Sequence, residues 1–147
     1  MATQRLEIMT AEKELYSEDV ELVVAPGAIG QLGILPHHAP LLTLLQPGEL
    51  MVRKNGEDEY IAVTGGFLEV MANRIVVLAD AVERAEEIDE QRALEAMKRA
   101  QERIESRTSD LDLQRALASM RRAQARLKVA RRRRRREGRS RPPDMSG

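Results

Sequence analysis

Between Val82 and Ala93 the spacing of apolar residues changes, and that change constrains the fold more than any other feature of the chain. Upstream, apolar residues recur at alternate positions, with Ile75 and Val77 on one face and Val76 and Leu78 on the other. Downstream they recur every third or fourth position, as in Ala93, Met97, Ala100 and Ile104. Strands alternate with period 2 and helices turn every 3.6 residues, so a β module followed by a helical module is expected. The joint between them, Val-Glu-Arg-Ala-Glu-Glu-Ile-Asp-Glu-Gln-Arg-Ala, is acidic and carries two arginines.

In the β module, Leu6 and Ile8 mark a first strand, Ala11 to Leu15 is turn-like, and Val20, Leu22 and Val24 mark a second strand that Pro26-Gly27 breaks. Gln31 to Pro40 holds two prolines and a glycine and is expected to be a rigid extended loop. Leu41 to Leu45 runs into Pro47-Gly48, which reads as another turn. Asn55-Gly56, between Leu50/Val52 and Tyr60/Val63, is the best hairpin signal, because both residues accept the positive φ of a type I′ turn. A further strand is expected after Gly65-Gly66, and Ala72-Asn73 turns it into Arg74 to Leu78. Some seven to nine short strands in about 80 residues favour an antiparallel sandwich or flattened barrel.

Beyond the joint, Asp89 is placed to cap a helix reaching about Ser106, and Ser109 with Asp112 three residues on resembles a capping box for a second. The second helix presents Leu113, Leu117, Met120, Ala123 or Gln124, and Leu127. The short connection implies antiparallel neighbours. Both stripes are narrow and alanine-rich, so the hairpin is expected to be marginally stable unless it lies on something else. Six arginines follow Ala130, then a segment ending in Pro-Pro-Asp-Met-Ser-Gly that is expected to be disordered.

Composition narrows the function. The chain has no cysteine, which excludes disulfides and thiolate metal sites and fits a reducing compartment. Its N-terminus lacks the apolar run of a signal peptide, and no stretch nears the roughly 18 apolar residues of a membrane span. The only histidines, His37 and His38, are adjacent in an extended loop and point apart, so hydrogen bonding is a better account of them than a shared metal. No Ser-His-acid arrangement stands out, and Gly65-Gly66 lacks the following glycine and lysine of a phosphate loop. Catalysis by this chain alone is therefore not expected. The zero net charge conceals a dipole: residues 121–147 sum to +10 and residues 1–120 to −10. Such a basic end binds phosphate backbones, which makes a nucleic-acid-binding adaptor the alternative reading. Against it stand one Phe, two Tyr and no groove-reading motif.

Three segments in the same order carry a more specific likeness: Gly33-Ile-Leu-Pro-His-His-Ala-Pro-Leu41, Tyr60-Ile-Ala-Val-Thr-Gly-Gly-Phe-Leu-Glu-Val70, and Ala79 to Ala93. Together they resemble the epsilon subunit of bacterial F-type ATP synthases over residues of roughly 1–130. The resemblance implies a flattened ten-stranded β-sandwich followed by a two-helix hairpin, at the foot of a rotating central stalk. The implied partners are the gamma subunit, the ring of c subunits and, when the helices extend, the catalytic alpha/beta head. The implied work is coupling rotation of a proton-driven ring to ATP synthesis and restraining ATP hydrolysis, with no catalytic residues of its own. Location would be peripheral, on the cytoplasmic side of the cell membrane, with membrane contact only through the complex and no specific nucleic acid.

The family also carries a nucleotide motif at the joint, here Ile88-Asp89-Glu90-Gln91-Arg92-Ala93. By resemblance, Ile88, Asp89, Arg92 and Ala93 are candidate ligands of a regulatory ATP, assisted by Arg122 and Arg126, whose spacing of four sets them on one helix face. Guanidinium forks suit phosphate oxygens. The tail departs from the family pattern, and Arg131, Arg132, Arg133, Arg134, Arg135 and Arg136 are expected to dock on acidic surface of the head. The expected division is an attachment sandwich at 1–87, a regulatory hairpin at 88–136 and a disordered basic tail at 137–147.

Overall fold

The computed structural model describes residues 2–106 and 109–140, with side chains described up to Arg132. Eight strands come first: β1 (Gln4–Met9), β2 (Glu14–Val20), β3 (Leu22–Gly27), β4 (Gly30–Ile34), β5 (Leu41–Lys54), β6 (Glu57–Met71), β7 (Arg74–Ala79) and β8 (Val82–Arg84). A 3-10 turn, Ala85–Glu87, leads into α1 (Glu90–Glu105) and α2 (Asp110–Ser140). The β-then-helix order read from periodicity is the observed one.

An expected turn and an expected strand start are bends inside long strands. β5 runs unbroken for 14 residues through Pro47-Gly48, and β6 for 15 through Gly65-Gly66. They pair in one register from Leu41↔Val70 to Lys54↔Glu57, closed by the Asn55-Gly56 turn with φ of 53° and 77°. Close backbone approach is the reason. A Cβ on Gly66 would stand 2.0 Å from the Leu78 carbonyl oxygen, and one on Gly48 would stand 2.7 Å from the Pro26 ring. The glycines let the ribbon bend where a side chain would push neighbouring strands apart.

The bend lets the ribbon serve both layers. One layer is β2-β1-β7 with the later half of β6 and the earlier half of β5; the other is β8, the earlier half of β6, the later half of β5, β3 and β4. Counted by layer, β5 and β6 each appear twice, so eight continuous strands make the ten-stranded sandwich that the resemblance implies. Pairing is antiparallel except for β1 with β7, which is parallel. Leu6, Ile8, Val23, Ile34, Leu50, Val52, Ile61, Leu68, Ile75 and Val77 fill the core between the layers. Other expectations shift at their edges. The segment from Ala11 joins a strand at Glu14, Pro26-Gly27 closes β3 rather than breaking it, and the first half of the Gln31–Pro40 loop belongs to β4.

Asp89 caps α1, its carboxylate accepting from the Arg92 amide at 3.2 Å, and the Ser109 hydroxyl accepts from the Asp112 amide at 3.1 Å. The helices meet along alanine. Ala93 and Ala100, and then Ala116, Ala123 and Ala130, recur every seventh residue and are buried. Leu117, expected on the contact stripe, is 37% exposed, and Ala116 holds the seam instead because the smaller side chain permits close approach. α2 continues to Ser140, past the expected end at 136; the remainder of the expected disordered tail, 141–147, lies outside the described residues. Val129 and Ala130 of α2 pack with Ala62, Ala85, Ile88 and Tyr60, so the hairpin lies back on the sandwich. Among the described residues no helix is long and apolar enough to cross a membrane.

The bend yields a test. Gly66→Ala should cost about 3 kcal/mol or more in urea unfolding, because strain at φ +127° adds to a backbone collision. Gly65→Ala, whose Cβ would meet nothing nearer than 3.4 Å, should cost only about 1–2 kcal/mol for its positive φ. Equal, small losses would contradict the close-approach account.

Candidate functional site

Folding the hairpin back creates a cleft of about 370 Å³ where the two helices meet the sandwich. Arg99 and Arg103 reach it from α1, Arg122 and Arg126 from α2, and Glu83 and Thr64 from the sandwich. Each arginine pair is spaced by four, which puts both members on one helix face, and antiparallel packing turns the two faces toward each other. Arg126 is already paired, its Nε donating to Glu83 Oε2 at 2.7 Å. Arg122 donates to the Ser119 hydroxyl at 3.0 Å. Among the described residues no carboxylate lies within 4 Å of the Arg99, Arg103 or Arg122 guanidinium. Four guanidiniums against one carboxylate make the cleft strongly receptive to an anion, and forked donors match phosphate oxygens.

The expected nucleotide residues divide between this cleft and the joint. Arg122 and Arg126 line the cleft; Ile88, Asp89, Arg92 and Ala93 do not. Ile88 is buried under α2, and Ala93 is part of the interhelical seam. Asp89 caps α1, and the Arg92 side chain stands in solvent with its Nε 3.7 Å from Asp89. Arg99, Arg103 and Glu83 were not anticipated. The two i,i+4 arginine pairs on helices expected to be antiparallel were the signal for the first two; nothing local marks Glu83.

The basic end is partly engaged within the molecule. Arg132 donates through Nε and a terminal nitrogen to both oxygens of Glu49, each at 3.1 Å, and lies over the Tyr60 ring with 4.4 Å to its centroid. Hydrogen bonding to Glu49 raises the affinity of the Arg132 guanidinium for its proton against the opposing effect of burial. Lys128 approaches the same carboxylate at 3.8 Å, and Arg131 approaches Glu90 at 3.9 Å. Side chains of Arg133 to Arg136 lie outside the described residues.

A second surface was not anticipated as a site. On the outer face of the first layer, Leu44, Phe67, Leu78 and Met9 stand side by side across β5, β6, β7 and β1. Leu44, Phe67 and Leu78 are 55%, 50% and 44% exposed, and Leu42 and Met71 extend the patch. Alternation in β7 sets Leu78 on the face opposite Ile75 and Val77, but only strand pairing assembles the patch. His37 and His38 lie in the loop before β5; the His37 amide donates to Asn73 Oδ1 at 2.9 Å, and His38 Nδ1 lies 2.8 Å from the Ala39 carbonyl oxygen. Among the described residues no group of three or more acidic or histidine side chains is placed to hold a metal.

Comparison with known proteins matches both modules. The family described as ATP synthase, Delta/Epsilon chain, beta-sandwich domain matches residues 3–85, and its long alpha-helix domain matches residues 81–131. An ATP synthase epsilon chain of Herpetosiphon aurantiacus is 52% identical over 133 residues, spanning 90% of this chain and 98% of its own. One of Dehalococcoides mccartyi is 57% identical over 101 residues, 69% of this chain and 72% of its own. Among solved structures, a chain of the Euglena gracilis mitochondrial ATP synthase (OSCP/F1/c-ring) superposes with a TM-score of 0.77 at 20% identity, over 88% of this chain and 82% of that one. A chain of the Tetrahymena thermophila mitochondrial ATP synthase central stalk/c-ring gives 0.54 at 18% identity, over 88% and 94%.

The cleft makes a prediction. If the cleft takes the regulatory ATP that the resemblance implies, Arg122→Ala and Arg103→Ala should each weaken its binding to the full-length protein by roughly tenfold or more, the cost of a lost charged hydrogen bond. Arg92→Ala should weaken it less, because that side chain lies outside the cleft. Isothermal calorimetry decides: no heat at millimolar ATP, or equal losses in all three variants, contradicts the placement.

Proposed function

The chain belongs to the delta/epsilon chain family of ATP synthases, with bacterial epsilon chains as its relatives, and from that premise we propose that it is a non-catalytic rotor subunit whose two outer faces do two jobs. One observation carries the reading: α2 covers the outer face of the second layer, while the outer face of the first stays bare and apolar. The bare face, centred on Leu44, Phe67 and Leu78, attaches the sandwich to the gamma subunit, since contiguous exposed apolar surface of this kind marks an interaction site. The sandwich thereby travels with the c-ring and couples its proton-driven rotation to synthesis in the head. Its place is peripheral, on the cytoplasmic side of the membrane.

The covered face regulates. The hairpin touches the sandwich through a small apolar cluster and a few ion pairs, so it is able to leave as a unit. Extended, its helices reach the alpha/beta head and restrain hydrolysis, with Arg131 to Arg136 meeting acidic surface there once Arg131 and Arg132 release Glu90 and Glu49. ATP in the arginine cleft bridges α1, α2 and the sandwich and so favours the compact form. A ligand at 100 times its dissociation constant that binds one form only shifts the balance by about 2.7 kcal/mol, enough to reset a nearly balanced hairpin. The nucleic-acid reading has only the charge of the C-terminal segment behind it.

Separation of the two jobs is testable. A chain ending at Glu87 keeps the entire sandwich core and should fold, join the stalk and support coupled synthesis while hydrolysis runs unrestrained. Phe67→Glu in the full chain should do the reverse, folding normally but binding gamma roughly tenfold or more weakly. A shortened chain that is unfolded, cannot join the stalk or still restrains hydrolysis would refute the two-module account.

A further inference from the structure

Under α2 the sandwich carries a pattern that the nucleotide cleft does not explain. Glu49 of β5 pairs in register with Ala62 of β6, and Ala62 with Glu83 of β8. The row therefore reads carboxylate, methyl, carboxylate straight across three neighbouring strands. Adjacent strands lie about 4.8 Å apart, so the two carboxylates spring from backbone separated by about 10 Å. On α2, Arg126 binds Glu83 and Arg132 binds Glu49. Six residues of helix rise about 9 Å, which matches the row. Between the two arginines Val129 and Ala130 pack in the cluster that contains Ala62, whose small side chain lets the helix axis come close.

We propose that the Glu49–Ala62–Glu83 row is a docking strip for α2, and that the Glu49–Arg132 clasp, with no ligand present, sets how much of this chain rests in the compact form.

Glu49 is the decisive end. Its side chain is 7% exposed and faces two cations, Arg132 in a two-pronged contact and Lys128 beside it. Arg132 fills both its hydrogen-bonding and its stacking roles, since the same planar group lies over Tyr60. Lysine cannot do both. Lifting α2 away would strip this carboxylate of its charged partners. The start of the arginine run thus holds the hairpin down, opposite in sign to the role proposed for the run once extended. Charge removal at Arg132 should therefore open the hairpin, whereas loss of docking charge would weaken the hold of the head on the extended form.

The test uses the full-length chain without nucleotide. The sequence contains no cysteine, so spin labels on Asn55→Cys and Lys98→Cys report one distance between sandwich and hairpin. The unsubstituted chain should give a single narrow distribution. Arg132→Ala should lower the compact-to-open ratio by roughly tenfold or more, Arg132→Lys should fall between, and Glu49→Gln should open the hairpin as well. The reversed pair, Glu49→Arg with Arg132→Glu, should recover compact form relative to either single change. Urea midpoints of the sandwich, followed alongside, should not move. An unchanged distribution in Arg132→Ala, a reversed pair no better than its parts, or a lowered sandwich midpoint would each overturn the inference. Because no nucleotide is present, such a failure would leave the proposed ATP site untouched.

Discussion

Gly66 passes so near the Leu78 carbonyl that no side chain fits between them, and the rest of the molecule follows from that contact. It allows β5 and β6 to bend together and to remain hydrogen-bonded across both layers. One ribbon therefore supplies outer surface to both sides of the sandwich. On the first layer it contributes Leu42, Leu44 and Phe67, which stay bare. On the second it contributes Glu49, Tyr60 and Ala62, which α2 covers. Two separate hairpins with true turns at Pro47-Gly48 and Gly65-Gly66 would leave these two surfaces on independent elements. As built, the bare face and the covered face share the same two strands.

The covered face is held by interactions of different kinds. Val129 and Ile88 each remove apolar area worth about 1.5–3 kcal/mol on burial, a modest total for a two-helix element. The ion pairs add less net stability than apolar residues of the same shape would, because both charges lose water. Removing one partner of a buried pair nevertheless costs about 3–5 kcal/mol. Glu49 with Arg132 comes near that regime, since the carboxylate is almost dry while the guanidinium remains 34% exposed. The pairing therefore fixes where α2 lies and also weighs on how firmly it is held, since lifting α2 leaves the Glu49 carboxylate without its charged partners. A larger apolar contact would be tighter and slower to release.

Much of this was legible in the sequence. The change of period gave the module order, and Asn55-Gly56 and Ala72-Asn73 gave two turns whose residues do adopt positive φ. Asp89 and Ser109 gave two helix starts. Pro47-Gly48 and Gly65-Gly66 look like strand boundaries in the sequence because a bend inside a paired strand uses the same residues as a break between strands. Only the partner strand tells them apart. The sequence points to Leu117 and not to Ala116 because an apolar stripe is usually read from its largest members, whereas this seam selects the smallest. The arginine cleft was half visible, through Arg122 and Arg126. Its carboxylate, Glu83, and the clasp partner Glu49 were not, since Arg132 and Glu49 lie 83 positions apart and no local pattern links them.

In the proposed mechanism a self-sufficient sandwich carries a hairpin docked partly by charge and able to come away alone. Native-state hydrogen exchange on the isolated full-length protein, repeated across a salt series, tests it most directly. Amides of α1 and α2 should exchange through an opening whose free energy falls as salt screens the docking charges, while Ile61, Val63, Leu68 and Val77 in the sandwich hold their protection. Exchange of helices and sandwich through one common opening, insensitive to salt, would contradict it.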